Sequence, residues 1–348
     1  MSHSLVRAGN GGLRSLQRAL RRKKYIHSRF ILLMDSTVYQ YCLPQLVSEV
    51  SAIQEADFLE IEEGEASKNI QIVAQLWEEF IEMQMDRHTV LITLGGGVVS
   101  DIGGFLAATY KRGIAHIAVP TTLVSMVDAA LGGKNGINIG GIKNAVGTFY
   151  NPDFTFLYPD FINTLSDKQL LSGVAEMIKT ALIADETLWY DMKEYSPLEI
   201  AKNHDWIYRC AELKLQIVRK DPQERSLRKI LNFGHSIGHA LEGVFIGDVK
   251  YHLSHGEAVA QGMYYAIKLS QRCKVLQENA DSVLHYLKQY YPLTSLNDST
   301  LKKVLRLLGN DKKNVAGEYR FVLLQSIGKP EADVVVSADD VIAVLQQE

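Results

Sequence analysis

Short apolar runs punctuate the first half of the chain, and each stops at a turn residue. Phe30-Ile31-Leu32-Leu33-Met34 ends at Asp35, and Ala56 to Ile61 ends at an acidic turn. Thr89 to Leu94 ends at Gly95-Gly96-Gly97, and Ile114 to Val119 at Pro120-Thr121-Thr122. A helix-like stretch follows each run. This rhythm predicts βαβ units around a buried parallel sheet, with ligands at the carboxyl ends of the strands. From Leu165 onward the pattern changes. Segments 169–184, 200–219, 230–245, 255–274 and 280–290 read as helices, with one late strand-like run, Arg320 to Leu324. The expected architecture is an α/β N-terminal domain over residues 1–164 and a mainly α-helical C-terminal domain over 165–348. A cleft between them is the natural place for an active site.

Composition narrows the function classes. A net charge of −3 favours neither nucleic acid nor an anionic membrane as partner. The basic run Arg18, Arg21, Arg22, Lys23 and Lys24 reads as a solvated helix face or a local anion-attracting patch. Cys42, Cys210 and Cys273 are far apart and odd in number, which argues against a disulfide framework and for a reducing compartment. No apolar run approaches the roughly 18 residues of a membrane span. The first twenty residues lack the apolar core of a signal peptide. A cytoplasmic enzyme is the expectation.

Three of the ten histidines sit in informative places. His235 and His239, four apart, fall on one helix face, and His255 opens another helical stretch. Glu176 lies in the apolar helical segment Gly173-Val174-Ala175-Glu176-Met177-Ile178-Lys179, where a carboxylate needs a cationic partner. Two imidazoles and one carboxylate, with a position left open, suit catalytic zinc. The bland alternative is a polar helix face with a satisfied core histidine. Gly234 and Gly238 weaken the same helix and imply close approach by a ligand or another backbone.

Gly95-Gly96-Gly97-Val98-Val99-Ser100-Asp101 follows a strand and opens a helix, a place where backbone amides attract a pyrophosphate. The usual GxGxxG register is absent, so a plain tight turn is the competing reading. Gly132-Gly133-Lys134 and Gly140-Gly141-Ile142-Lys143-Asn144 place lysines among glycines, in loops that suit phosphates or carboxylates. More cations stand near these motifs: Arg112, Lys179, Lys214, Arg228, Lys312 and Lys313. Lys179 follows Glu176 by three residues on the same face. A site with a divalent cation and several lysines expects a substrate with more than one negative group.

Together the blocks GGGVVSD, YKRG, VPTTLVSMVD, GGKNG, KNAVG, GVAEMIK, LRKILNFGHSIGHALE, HGEAVAQGM and DKK resemble the 3-dehydroquinate synthase family, in its order and from about Asp35 to about Lys329. The resemblance implies a Rossmann-like, NAD-binding first domain, a helical metal- and substrate-binding second domain, and a homodimer. It implies Glu176, His235 and His255 as ligands of one Zn2+ or Co2+, with His239 as a site base or substrate contact instead. It implies NAD contacts from Asp35, Glu63, Glu65, Lys68, Gly96, Gly97, Val98, Val99, Ser100, Asp101, Thr121, Thr122, Asp128, Lys134, Lys143 and the turn of Phe161, Ile162, Asn163 and Thr164. Arg112, Asp128, Lys134, Asn144 and one of Lys312 or Lys313 would bind substrate. Lys179, Lys214, Arg228, Asn232 and His239 would serve the reaction directly, with Glu224 at a position assigned to proton transfer. The implied substrate is a phosphorylated sugar acid, 3-deoxy-D-arabino-heptulosonate 7-phosphate. The chain departs from the family pattern at Ala129 and Ala130, where serines are usual, and at Asn135, where threonine is usual.

Rival readings keep parts of this set. A 2-deoxy-scyllo-inosose synthase would share the NAD and metal motifs, but its substrate lacks the carboxylate that Arg228 and Asn232 suit. A metal-dependent alcohol dehydrogenase of the glycerol dehydrogenase kind would share the glycine turn and release NADH. A non-catalytic paralogue would have lost a ligand or a reactive cation, and none is lost.

Overall fold

The four apolar runs are strands of one parallel sheet in the computed structural model, which describes residues 4–140, 142–245, 253–309 and 318–346. They are β2 (Phe30–Asp35), β3 (Asp57–Ile61), β4 (Val90–Gly95) and β5 (Ala115–Pro120); β1 (Leu5–Arg7) and β8 (Phe154–Leu157) complete it. The order is β1-β8-β5-β4-β2-β3 and every pairing is parallel. From β2 the chain steps outward to β3, then returns to the other side of β2 as β4. The carboxyl ends of β2 and β4, at Asp35 and Gly95, therefore border a topological switch point, where open α/β sheets bind ligands.

Helix Ile70–Glu82 starts where the Asn69 side chain accepts the Ile72 N–H at 3.0 Å. Its Val73, Leu76 and Phe80 pack with Ile102 and Leu106 of helix Gly97–Thr109 against Ile31, Leu33, Leu59 and Leu91 of the sheet. The glycine- and lysine-rich stretches read as loops are instead an antiparallel ribbon of β6 (Lys134–Ile139) and β7 (Ile142–Phe149). Asn135 anchors it. Its side-chain amide donates to the carbonyls of Gly133 at 3.1 Å and Tyr150 at 3.0 Å. A Cβ at Gly104 would run into the Asn135 side chain, so ribbon and helix touch closely there.

The chain divides into two compact units, Met1–Gln169 with Ile207–Arg219, and Leu170–Trp206 with Lys220–Glu348. Lys214 thus belongs with the sheet. The second unit is built on helices Asp167–Ala184, His235–Phe245, His255–Arg272, Asp281–Tyr290 and Asp298–Gly309. It also carries an antiparallel hairpin of β9 (Glu318–Ser326) and β10 (Lys329–Ser337), of which only the centre of β9 was expected. Segment 200–219 is two helices, Pro197–Ala201 and His204–Lys220. The helix expected from Ile230 begins at His235; Leu227–Asn232 is a tighter 3-10 turn, and Gly234 at φ +76° separates the two.

Candidate active site

Glycines bring three helices of the second unit together. A Cβ at Gly262 would collide with the Gly234 carbonyl, and one at Gly238 would lie 2.9 Å from the Ala258 carbonyl. A Cβ at Gly256 would strike the Ser172 backbone, and the Gly256 N–H donates to Ser172 Oγ at 2.9 Å. The close approach that Gly234 and Gly238 implied is thus to another helix backbone. Its result is that His235, His255 and Glu176 converge, although 79 residues separate Glu176 from His255.

Glu176 is 1% exposed. Its Oε1 stands 3.2 Å from His255 Nε2 and 3.6 Å from His235 Nε2, and its Oε2 stands 2.6 Å from Lys179 Nζ. The ligand atoms of Glu176, His235 and His255 all lie within 4.8 Å of one another. His235 Nδ1 sits 3.1 Å from the Phe233 carbonyl, which assigns the proton to Nδ1 and turns the lone pair of Nε2 toward Glu176. His255 Nδ1 is 3.5 Å from Glu242 Oε2. Burial alone would raise the Glu176 carboxyl, but Lys179 and the imidazoles hold it well below the usual range. Burial also works against a charged His255; hydrogen bonds to Glu176 and Glu242 outweigh it and hold the ring up at about 10. Burial, with Lys179 adding to it, pushes His235 down to about 3. Glu176 is therefore ionised and His235 neutral, the states in which both can donate to a metal. One carboxylate oxygen and two imidazole nitrogens, backed by the Glu242 carboxylate, are a donor set that fits Zn2+ or Co2+. His239 is exposed, its ring 5.1 Å from His235 and 5.9 Å from His255. It falls outside the Glu176 set and joins a second group with Glu242 and His255.

A turn in the same unit displays Arg228 and Asn232. The Asp221 carboxylate accepts N–H bonds from Arg225 at 3.0 Å, Ser226 at 2.8 Å and Arg228 at 3.0 Å. Arg228 is 2% exposed and donates to the Pro222 carbonyl at 2.7 Å. Asn232 Nδ2 donates to Glu224 Oε1 at 2.6 Å, and Glu224 sits at φ +57°. The sequence reading missed Asp221 and Glu242. Glu242 closes the block LRKILNFGHSIGHALE and Asp221 lies three residues before Glu224, outside the blocks; what each holds is a matter of folded geometry.

In the first unit the glycine turn opens helix Gly97–Thr109 at the end of β4. The Thr121 N–H donates to the Gly95 carbonyl at 3.0 Å, which ties the ends of β4 and β5 together, and in the turn beyond β5 Thr122 Oγ1 donates to Ser125 Oγ at 2.9 Å. Lys68 pairs with Asp101; burial pushes that carboxyl up to about 6, with the Lys68 ammonium pulling the other way. Asp35 caps the helix after β2 by accepting the Val38 N–H at 2.8 Å, and Thr37 donates to Glu63 at 2.6 Å. Glu65 and Lys68 line a cavity of about 310 Å³ with Asn69, Asn138 and Gly140. Val99, Phe161 and Ile162 bury their side chains in the core, so these positions offer a ligand only backbone; Val98 is half-buried, while Asn163 and Thr164 are exposed.

Lys214 Nζ reaches Asp128 Oδ1 at 2.6 Å and the Asp128 carbonyl at 2.7 Å, across 86 residues of sequence. Lys134, Lys143 and Asn144 are exposed on the ribbon, and Arg112 is exposed at φ +65°. Lys312 and Lys313 lie outside the described residues.

Comparison with known proteins identifies the family. Family models described as 3-dehydroquinate synthase N-terminal and 3-dehydroquinate synthase C-terminal match residues 58–172 and 173–314. The chain belongs to the 3-dehydroquinate synthase family. A 3-dehydroquinate synthase of Parabacteroides distasonis is 38% identical over 305 residues, 87% of this chain and 86% of that protein. A crystal structure of 2-deoxy-scyllo-inosose synthase with carbaglucose-6-phosphate, NAD+ and Co2+ superposes with TM-score 0.85 at 25% identity, covering 99% of this chain and 96% of that one. A 2-epi-5-epi-valiolone synthase from Streptomyces hygroscopicus with NAD+ and Zn2+ gives the same TM-score, identity and coverage. This member of the family thus shares its fold with sugar-phosphate cyclases of more than one product.

Proposed function

We propose that this chain is a phosphate-eliminating lyase that converts 3-deoxy-D-arabino-heptulosonate 7-phosphate to 3-dehydroquinate and phosphate. The observation that carries this reading is the buried Arg228, held with Asn232 in the same unit as the Glu176–His235–His255 cluster. A guanidinium forked toward a ligand suits a carboxylate, which the heptulosonate phosphate has and a hexose phosphate lacks.

Residues 1–164 would serve as the NAD-binding domain and 165–348 as the metal- and substrate-binding domain. When bound, NAD supplies a hydride acceptor regenerated within each turnover, and the divalent ion, Zn2+ or Co2+, supplies a Lewis acid. Asp35, the glycine turn, Thr121 and Thr122 would hold NAD, with Glu65, Lys68 and Lys143. Glu176, His235 and His255 would hold the metal.

The chain's own groups do the rest. Arg228 and Asn232 orient the acid end of the substrate. Lys134, Lys214, Asn144, Arg112, and Lys312 or Lys313, hold phosphate and hydroxyls. Lys179 fixes the charge of Glu176, and Lys214 fixes that of Asp128. Glu224, hydrogen-bonded to Asn232, and His239, exposed beside the cluster, are placed to carry protons. Holding the reacting ends in register is the protein's main contribution to ring closure.

The same reading makes the protein a cytoplasmic homodimer. The free thiols of Cys42, Cys210 and Cys273 support a reducing compartment, and Ile142, Val146 and Phe149 of β7 are exposed apolar side chains that a second copy could cover.

Parallel assays on the heptulosonate phosphate and glucose 6-phosphate test the substrate. Phosphate release from the first, with 3-dehydroquinate as product, is expected. Release from glucose 6-phosphate alone would make the chain an inosose-type cyclase.

A further inference from the structure

The hairpin β9–β10 carries an irregularity aimed at the Arg228 turn. Glu331 pairs with Leu323 and Val334 pairs with Phe321, so three steps along β10 match two along β9. The extra residue makes a β-bulge, and within it Asp333 takes φ +60°. Asp is among the few non-glycine residues that tolerate the left-handed region, at a cost that the surrounding contacts offset. Here the Arg320 guanidinium donates to the Asp333 carbonyl at 3.4 Å, and the carboxylate meets Lys229 Nζ at 2.5 Å. A regular strand would alternate side chains between the two faces; the bulge re-aims this one. Lys229 is the residue between the buried Arg228 and Ile230 in the turn Leu227–Asn232. The turn is otherwise held by Asp221 on its N-terminal side and by the Glu224–Asn232 bond.

We propose that Asp333 is a positioning residue: through Lys229 it clamps the turn that presents Arg228 and Asn232, and so sets the affinity for the substrate's acid end. The consequence for substrate rests on the reading of Arg228 and Asn232 given above; the clamp itself does not. Asp333 and Lys229 pair with each other, and both side chains are partly exposed, at 38% and 27%. Their contribution is therefore to the order of the turn more than to global stability.

Asp333→Asn removes the charge while keeping a side chain that tolerates the left-handed region; Lys229→Met removes the other partner. Two readouts apply to the NAD- and metal-loaded protein. Hydrogen exchange of the backbone amides from 226 to 233 should speed up in each variant, whatever reaction the protein catalyses. KM for the heptulosonate phosphate should rise about three- to tenfold with kcat changed less than about twofold, and the double variant should match the singles instead of multiplying them. Unchanged exchange in both variants would overturn the clamp. Faster exchange with unchanged KM, or multiplicative effects in the double variant, would overturn its role in substrate affinity. Faster exchange in the variants, together with a wild-type protein that releases no phosphate, would leave the clamp standing and remove the proposed reaction instead.

Discussion

Glu176 and Lys179 form a charge pair on one helix face with both side chains 1% exposed, and His235 and His255 approach the same carboxylate. Such a pair is costly to break from one side. Lys179→Met should lower the stability of the metal-free protein by about 3–5 kcal/mol, because the carboxylate loses its ammonium. Added Zn2+ should restore part of the loss. Glu176→Gln, His235→Ala and His255→Ala should each abolish both tight metal binding and turnover. Metal analysis after dialysis, beside thermal unfolding with and without Zn2+, checks both statements; a fully active, metal-free His235→Ala protein would remove the site assignment.

Arg228 is buried and anchored by its own turn, so its guanidinium is oriented before substrate arrives. Arg228→Ala should weaken substrate binding by about 2–5 kcal/mol and leave NAD affinity unchanged. Titration with NAD followed by protein tryptophan fluorescence, with steady-state kinetics on the heptulosonate phosphate, separates the two. A fall in NAD affinity would place Arg228 at the wrong ligand.

Gly262 lies where a methyl group would overlap the Gly234 carbonyl. Gly262→Ala should push helices His235–Phe245 and His255–Arg272 apart, cost about 1–3 kcal/mol or more, and weaken metal binding by separating His235 from His255. Denaturant unfolding and metal titration of the variant measure this. Wild-type metal affinity would show that the glycine contact does not set the cluster.

His116, on β5, lies 3.0 Å from Thr93 Oγ1 and is buried. Burial lowers its imidazole to about 4, against a small opposing effect of Asp153. The unfolded chain therefore takes up a proton near pH 6.5 that the native state refuses until about pH 4. The stability this neutral ring contributes is full above pH 6.5, falls as pH drops between these values, and changes no further below, for a loss of about 3 kcal/mol. His116→Gln should flatten that part of the stability–pH curve measured by denaturant unfolding. Parallel curves for the two proteins would contradict it.

Most of the sheet was legible because its central strands are buried on both faces and read as mainly apolar runs, interrupted only at Thr93 and His116, that end at Asp35, Gly95 and Pro120. β1 and β8, three and four residues long, were too short to show any period. The ribbon of β6 and β7 was hidden for a different reason. Its glycines and lysines signal a loop locally, and only the pairing of Lys134 with Phe149 and of Gly136 with Gly147 makes it sheet. The site divides the same way. Residue types and motif order pointed to Glu176, His235, His255 and Arg228. Which groups hold them is set by contacts across the folded chain: Glu242 on His255, Asp221 beneath Arg228, Lys214 on Asp128. Residues Ile207–Arg219, Lys214 among them, group with the unit that holds the sheet.

One assay tests the central claim most directly: phosphate release from 3-deoxy-D-arabino-heptulosonate 7-phosphate by metal-loaded protein with a trace of NAD, followed together with NADH absorbance. Phosphate should accumulate far beyond the NAD supplied, with no lasting rise in NADH. NADH rising in step with turnover would make the chain a dehydrogenase, and no phosphate release at all would contradict the proposed reaction.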